Sequence, residues 1–300
     1  MSQGHAHWDH APPDKGWTAP GGRWAMGPAR LQRWAATIDA AHRQGWLLQP
    51  ITDTEPVTLT DAYTIQELLT ARRTARGARP IGWKLGYTSA AMREQMGVDA
   101  PNYGPLTDQM VLADGGALSV ELIQPRAEPE IAIRLHTDVR PGTTVEHVRA
   151  AIGDAYLALE IVDSVWQDYR FRLEDNTADG SSAAHVVLGP ALHPGTDLGA
   201  LRVVLRRNGA VAGTGHGRAV MGHPVHALTW LARELSRRGK GLRAGDVVLT
   251  GGLTAAVPVR PGDVISAAVS GYPPVTVHRR ATAAPPDVPE RSPSVSTREG

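Results

Sequence analysis

Four side chains in this chain have the types and spacings to do polar chemistry together: Glu128, Glu130, Glu160 and Lys84. Glu128 and Glu130 lie one residue apart in Pro125-Arg126-Ala127-Glu128-Pro129-Glu130-Ile131-Ala132-Ile133, at the mouth of an apolar run. Alternate side chains of a strand share a face, so the two carboxylates aim at one point while Ile131 and Ile133 take the other face. Glu160 interrupts Tyr156-Leu157-Ala158-Leu159-Glu160-Ile161-Val162, which otherwise reads as a fully buried strand. A buried carboxylate is costly unless it is paired, protonated or bound to a metal. Three converging oxygen ligands, with no histidine or thiolate, suit Mg²⁺ or Mn²⁺. The same pattern also fits two acids on the solvated face of an edge strand with a structural ion pair at Glu160. By spacing alone that structural reading has the better claim.

Lys84 belongs to Ile81-Gly82-Trp83-Lys84-Leu85-Gly86-Tyr87. Strand alternation sets Trp83, Leu85 and Tyr87 on one face and Lys84 on the other. The flanking glycines leave space on its face, as where a ligand approaches the backbone. A surface strand lysine is the alternative.

The elements around these residues must come from a globular chain. It has 300 residues, is 42% hydrophobic, and carries 31 Lys+Arg against 30 Asp+Glu for a net charge of +1. No global field therefore points to nucleic acid or an acidic membrane. The cysteine count of 0 excludes disulfides, thiolate metal sites and cysteine nucleophiles. No apolar run is long enough to span a bilayer and no leader pattern opens the chain, so the expected location is cytoplasmic.

Residues 1–28 are rich in Gly, Pro, His and Trp without any period and read as a disordered extension, with His5, His7 and His10 a poor preformed metal site. Leu31, Trp34, Ala35, Ile38 and Ala41 recur at helical spacing before Gly45. A second helix is expected from Thr60-Asp61 to Gly77, with Arg72, Arg73 and Arg76 on a solvated face near its C-terminus. These helices form an expected N-terminal helical subdomain over residues 29–79. Ser89 is expected to cap a short helix ending at Gly97. Strands then dominate, with Asp114-Gly115-Gly116, Asn208-Gly209 and Gly262-Asp263 as turns and Asn208-Gly209 closing a hairpin. Two helices interrupt them: one from a Thr143/Glu146 capping box to about Ile152, and one opened by Pro224 and stopped at Gly239. Gly213, Gly215 and Gly217 lack the strand–helix context of a dinucleotide loop. Residues 281–300 read as a disordered tail. The order argues for an α+β, β-rich mixed architecture with one body over residues 80–280.

The motifs now assembled resemble one family: the 2-oxopent-4-enoate hydratases and 4-oxalocrotonate decarboxylases of the fumarylacetoacetate hydrolase superfamily. The resemblance runs from about Asp61 to Val277 and is carried by residues 82–89, Met96-Gly97-Val98, residues 125–131, residues 159–164, Gly222-His223-Pro224 and Thr250-Gly251-Gly252. It implies a rolled-sheet fold, Glu128, Glu130 and Glu160 as ligands of a divalent cation, and Lys84 in the active site. Ser182, Thr250, Gly251 and Thr88 are the expected substrate holders. The implied chemistry is a 2-oxo acid chelated through its carboxylate and carbonyl, with the ion as Lewis acid. Loss of CO₂ from 2-oxo-3-hexenedioate would give a stabilised dienolate without an organic cofactor.

Between the two branches, Thr250-Gly251-Gly252-Leu253-Thr254-Ala255-Ala256-Val257-Pro258-Val259 and Asp168-Tyr169-Arg170-Phe171-Arg172-Leu173 look more like the decarboxylases. The expected function is thus a metal-dependent lyase decarboxylating an unsaturated 2-oxo dicarboxylic acid. The alternatives are a 2-oxopent-4-enoate hydratase, an acylpyruvate C–C hydrolase, and a non-catalytic binding subunit. One departure stands out: the family reads Ala-Asp-Asn before its serine pair, where this chain reads Ala178-Asp179-Gly180-Ser181-Ser182. The missing amide removes hydrogen-bonding groups from the expected pocket. His223 is expected to be a helix-terminal residue, Trp34, Trp46 and Trp230 to be packing residues, and Asp163 to be either a support for the site or a strand end. The expected partner is a small 2-oxo acid, with neither nucleic acid nor membrane, in a homo-oligomer that associates with a sister hydratase or decarboxylase.

Overall fold

The computed structural model describes residues 26–119, 121–140 and 142–281; the N-terminal histidines and the C-terminal tail lie outside them. The first two helices are α1 (Pro28–Gln44), with Pro28 at its start and Gly45 left-handed at its end, and α2 (Leu59–Ala75). Thr58 caps α2 through a capping box with Asp61, two residues before the expected start at Thr60-Asp61. Arg72 and Arg76 correct their expected role. They close on buried Asp39 of α1, with Arg76 Nη2 2.5 Å from Oδ1 and Arg72 Nε 3.4 Å from Oδ2, rather than standing in solvent. Burial pushes the Asp39 carboxyl up, but the Arg76 hydrogen bond and charge, with Arg72 and Arg43, outweigh it and hold it below its ordinary value. Ile38, Ile65 and Leu69 build a core that Val165, Trp166 and Ala178 of the strand-rich body complete.

The body begins with β1 (Pro80–Gly86), α3 (Ala90–Met96), β2 (Asn102–Thr107), β3 (Val111–Leu112) and β4 (Gly116–Leu118). It continues through β5 (Arg126–Leu135), α4 (Val145–Ala150), β6 (Ile152–Val162), α5 (Leu173–Ala178) and β7 (Ala183–Ala191). The hairpin β8 (Arg202–Arg207) and β9 (Ala210–His216), then α6 (Pro224–Arg237), β10 (Val247–Leu249), β11 (Val257–Pro258), β12 (Val264–Val269) and β13 (Val275–Arg279) finish it. Two sheets result. One is eight-stranded in the order β2-β1-β10-β5-β6-β7-β3 with β11 also on β5, and the other runs β4-β13-β12-β8-β9. Most pairings are antiparallel, but β1/β10, β3/β7 and β4/β13 are parallel.

Three local expectations are corrected. Thr144, not Thr143, caps α4, through its side chain and the His147 N–H. A third helix, α5, interrupts the strands; its six residues are too few to reveal a helical period. Trp46 is 54% exposed and does not pack. Gly213 and Gly215 lie in β9, where a Cβ on Gly215 would fall 1.9 Å from the Leu253 carbonyl oxygen, so close strand packing explains that glycine. Among the described residues, no helix is long and apolar enough to cross a membrane.

The large sheet separates packing from chemistry by its two faces. Ile131 and Ile133 of β5, Leu157, Leu159 and Ile161 of β6, Val248 of β10 and Leu85 of β1 join the main core, against Val203, Leu205, Ile265 and Val277 of the second sheet. Full burial of each large aliphatic side chain contributes about 2 kcal/mol. The residues alternating with these, on the opposite face, include Lys84, Glu128, Glu130 and Glu160. A one-residue slip in register would bury the carboxylates in the apolar core, so the core that fixes the register also fixes the site.

Candidate metal and substrate site

Glu128 of β5 and Glu160 of β6 are direct cross-strand partners, and Glu130 lies opposite Ala158. Directly opposed residues point to the same face of an antiparallel pair, so the third carboxylate joins the first two. Ala132 and Ala158 flank them and leave room. One carboxylate oxygen from each of the three glutamates lies within 4.8 Å of the others. Lys84, two strands away, is placed on this face by Lys84↔Leu249 and Leu249↔Ala132. Its Nζ donates to the Ser181 carbonyl at 2.9 Å and to Ser181 Oγ at 3.3 Å, and lies 3.1 Å from Glu160 Oε2. That last contact is an ion pair outside hydrogen-bond alignment, and neither oxygen of Glu160 has a hydrogen-bond partner.

Three carboxylates against one ammonium leave two formal negative charges in a buried cluster. Burial, then the charges of Glu160 and Glu128, push Glu130 well above the ordinary carboxylate range. Burial followed by Glu160 pushes Glu128 up to about 7. Burial lowers Lys84, but the three carboxylates outweigh it and hold it above its ordinary value. Glu130 Oε1 and both oxygens of Glu160 are buried without a hydrogen-bond partner. Excess negative charge, orphaned hard oxygens and convergence together fit a divalent cation.

The loop after β10 holds the cluster from above. Thr250 N and Oγ1 both donate to the Ile131 carbonyl, Leu253 N donates to the Pro129 carbonyl, and Gly251 N donates to Glu130 Oε2 at 2.7 Å. Pro129 falls in the gap between the β11 and β10 pairings, where the ladder on that side of β5 is interrupted. Close approach explains both glycines. A Cβ on Gly251, whose φ is +112°, would meet Thr88 Oγ1 at 2.0 Å, and one on Gly252 would meet Glu128 Oε2 at 2.2 Å. The fully buried Thr250 hydroxyl and the Gly251 amide are therefore already engaged, and neither residue lines the cavity. In this structure their polar groups hold β5 and Glu130.

A cavity of about 120 Å³ opens over Lys84 and Glu128. Thr88 and Ser182 line it as expected, and Thr88 Oγ1 is buried with no hydrogen-bond partner. Its walls also include Tyr87, Met92, Met96, Phe171, Arg126 and Tyr169. Tyr87 departs from the expected strand face because its φ is +57°.

Sequence reading missed an amide relay behind Lys84. Ser181 Oγ donates to Asn102 Oδ1, Asn102 Nδ2 donates to Asn176 Oδ1, and Asn176 Nδ2 donates to Ser182 Oγ. Ser182 Oγ in turn donates to Asp179 Oδ2, and Asp179 Oδ1 lies 2.5 Å from His42 Nε2. Gln66 of α2 donates to the carbonyls of Tyr103 and Thr177, clamping β2 to α5 and so fixing Asn102 against Asn176. The sequence carries no signal for this relay, since the burial of Asn102 and Asn176 comes only from tertiary packing. The departure at Gly180 also resolves: its φ is +79°, it does not line the cavity, and Asn176 supplies the amide there. Asp163 accepts from the Ile123 and Gln124 amides, fixing the chain just before β5, and His223 Nδ1 accepts from Val225 N as the cap of α6.

Residues 83–278 match the family model described as fumarylacetoacetate (FAA) hydrolase C-terminal. The 2-keto-4-pentenoate hydratase of Paraburkholderia xenovorans (strain LB400) is 38% identical over 251 residues, covering 82% of this chain and 93% of that protein. The 4-oxalocrotonate decarboxylase of Pseudomonas putida is 38% identical over 242 residues, covering 79% of this chain and 92% of that protein. Among solved structures, 4-oxalocrotonate decarboxylase from Pseudomonas putida G7, complexed with magnesium and adipate, superposes with a TM-score of 0.82 at 34% identity, covering 86% of this chain and 100% of that one.

Proposed function

The chain belongs to the fumarylacetoacetate hydrolase family, and from that premise we propose that it is a divalent-metal-dependent carbon–carbon lyase that decarboxylates an unsaturated 2-oxo dicarboxylic acid of the 2-oxo-3-hexenedioate type. The observation that carries this reading is the buried, partly unpartnered cluster of Glu128, Glu130 and Glu160, with Lys84 beside it, under a cavity. These three glutamates would hold the cation, and their hard oxygen donors suit Mg²⁺ or Mn²⁺. When bound, the cation supplies Lewis acidity toward a carbonyl oxygen.

In the reaction the bond to the distal carboxylate breaks and its electron pair passes through the C3=C4 double bond to the C2 carbonyl oxygen. CO₂ leaves, and one proton taken up at that oxygen completes 2-hydroxypenta-2,4-dienoate. The Lys84 ammonium, fixed by Ser181, neutralises negative charge as it develops on the substrate oxygens. Thr88 Oγ1 is free to bond a substrate oxygen, and Ser182, aligned by Asn176 and Asp179, offers a second polar contact. Tyr87, Met92, Met96 and Phe171 line the cavity with largely apolar surface and exclude water.

The hydratase reading is supported by a relative of equal identity. Incubation of metal-reconstituted protein with 2-oxo-3-hexenedioate and, separately, with 2-hydroxypenta-2,4-dienoate divides the two. CO₂ release from the first with no loss of dienol absorbance from the second selects the decarboxylase. The reverse selects the hydratase, and turnover of neither sinks both.

A further inference from the structure

The cavity has a second cation, whose charge partly offsets the upward push of burial on the neighbouring Glu128 carboxyl but which forms no ion pair or hydrogen bond with the cluster. Arg126 and Lys84 are the two basic residues lining it, and Lys84 is already committed to Ser181 and Glu160. Among the described residues, the Arg126 guanidinium has no hydrogen-bond acceptor. Its contact is with the face of the Tyr169 ring, 3.9 Å from the centroid. A guanidinium carries five donors in a planar fork suited to a carboxylate, and stacking on a ring leaves that fork free.

The sequence places Arg126 by the same alternation that places the glutamates. Arg126, Glu128 and Glu130 occupy successive same-face positions of β5, with Val162 opposite Arg126 and Glu160 opposite Glu128. Two residues of strand advance the backbone by about 7 Å. An extended six-carbon diacid separates its carboxyl carbons by roughly 6 Å, from five carbon–carbon bonds of about 1.5 Å in zigzag. A substrate whose 2-oxo acid end lies at the glutamates therefore brings its other end to Arg126.

The ring beneath Arg126 is held at a backbone cost. Asp168 and Tyr169 adopt φ values of +58° and +57°, a region that side chains other than glycine rarely occupy. Such strain persists only where surrounding contacts over-determine it. Here Tyr169 OH donates to the Val162 carbonyl, and the next residue, Arg170, bonds Asp53 and Gln49.

Resting on the proposed 2-oxo acid chemistry, we propose that Arg126, supported on Tyr169, is the receptor for the distal carboxylate and selects six-carbon 2-oxo dicarboxylates over the corresponding monocarboxylates. The carboxylate that Arg126 holds is the one that departs as CO₂, so the contact favours the bound substrate and not the transition state. Its loss raises KM and leaves kcat unchanged or higher.

The test is calorimetric binding of two non-reacting ligands to the full chain loaded with Mg²⁺: 2-oxoadipate, and 2-oxohexanoate, in which a methyl group replaces the distal carboxylate. The wild type prefers 2-oxoadipate by about tenfold or more. Arg126→Gln reduces that preference to under about threefold by weakening 2-oxoadipate, and weakens neither Mg²⁺ nor 2-oxohexanoate. Tyr169→Leu, which keeps the guanidinium and removes its platform, gives an intermediate preference. Equal wild-type affinities, or Arg126→Gln weakening both ligands or Mg²⁺ alike, overturn the assignment. Failure of both ligands to bind the Mg²⁺-loaded wild type removes the 2-oxo acid reading on which it rests.

Discussion

Glu128 and Glu160, 32 positions apart in the chain, face each other directly across the β5–β6 ladder. The pairing brings like charges together in a buried setting, an arrangement that is unfavourable without a counter-ion. The structure answers part of that charge with Lys84 and leaves carboxylate oxygens unpartnered.

Glu130→Gln separates metal binding from folding. The substitution removes one buried charge, while its side-chain oxygen can still accept from Gly251 N. The metal-free variant should melt at or above the wild-type temperature, because repulsion with Glu128 and Glu160 is relieved. The rise in melting temperature on adding Mg²⁺ should shrink, with affinity lower by at least about tenfold and activity falling in parallel. Undiminished metal stabilisation and activity would show that the glutamates are structural.

Gly252→Ala should disable the site while leaving the fold. The added methyl overlaps the far end of the Glu128 side chain, 2.2 Å from Oε2, which can move, while the Thr254 carbonyl oxygen at 3.2 Å need give only slightly. Circular dichroism should be unchanged and Mg²⁺ affinity should fall about tenfold or more, since one ligand is pushed aside. Wild-type affinity in a folded variant would contradict the close approach.

Gly180→Asn restores the residue expected from the family pattern. Gly180 has φ +79° and open space around its Cβ direction, and Asn tolerates that conformation better than most residues. Stability should change by no more than about 0.5 kcal/mol and KM should stay within twofold. A large KM change would place this side chain in the cavity after all.

Asp39→Asn tests the clasp between α1 and α2. At pH 7 denaturant unfolding should report a loss of about 1–2 kcal/mol, discounted from a fully buried pair because the arginines are 41–53% exposed on their side chains. The folded-state pKa of Asp39 lies below its unfolded value, so its contribution is complete above about pH 4 and is lost as pH falls through the folded value. Wild type and variant should therefore converge in stability at low pH. A difference that persists at pH values where folded Asp39 is itself protonated would point to packing rather than charge.

Much of the site was legible before folding because it is written in short-range pattern. The one-residue spacing of Glu128 and Glu130 is a strand-face statement, Ser89 and Gly97 bracket a helix, and Asn208-Gly209 closes a hairpin, each from local chemistry. Glu160 and Lys84 also stood out locally, and the motif resemblance supplied their roles. Arg72 and Arg76 were misread because a basic helix surface has the same pattern whether it meets water or a buried aspartate on another helix. Helix α5 escaped for lack of length, and with it the Asn176 amide.

By itself the sequence determined which side chains were available and how each was phased along its own strand or helix, because periodicity and capping depend on neighbours a few residues away. Only the tertiary structure decided which phases coincide. The pairing Glu128↔Glu160, the two-strand step from Ala132 through Leu249 to Lys84, and the engagement of Thr250 and Gly251 in holding β5 all depend on register between distant segments. That register is set by the apolar packing on the opposite face of the sheet. A slip by one residue would turn every carboxylate of the cluster into that core.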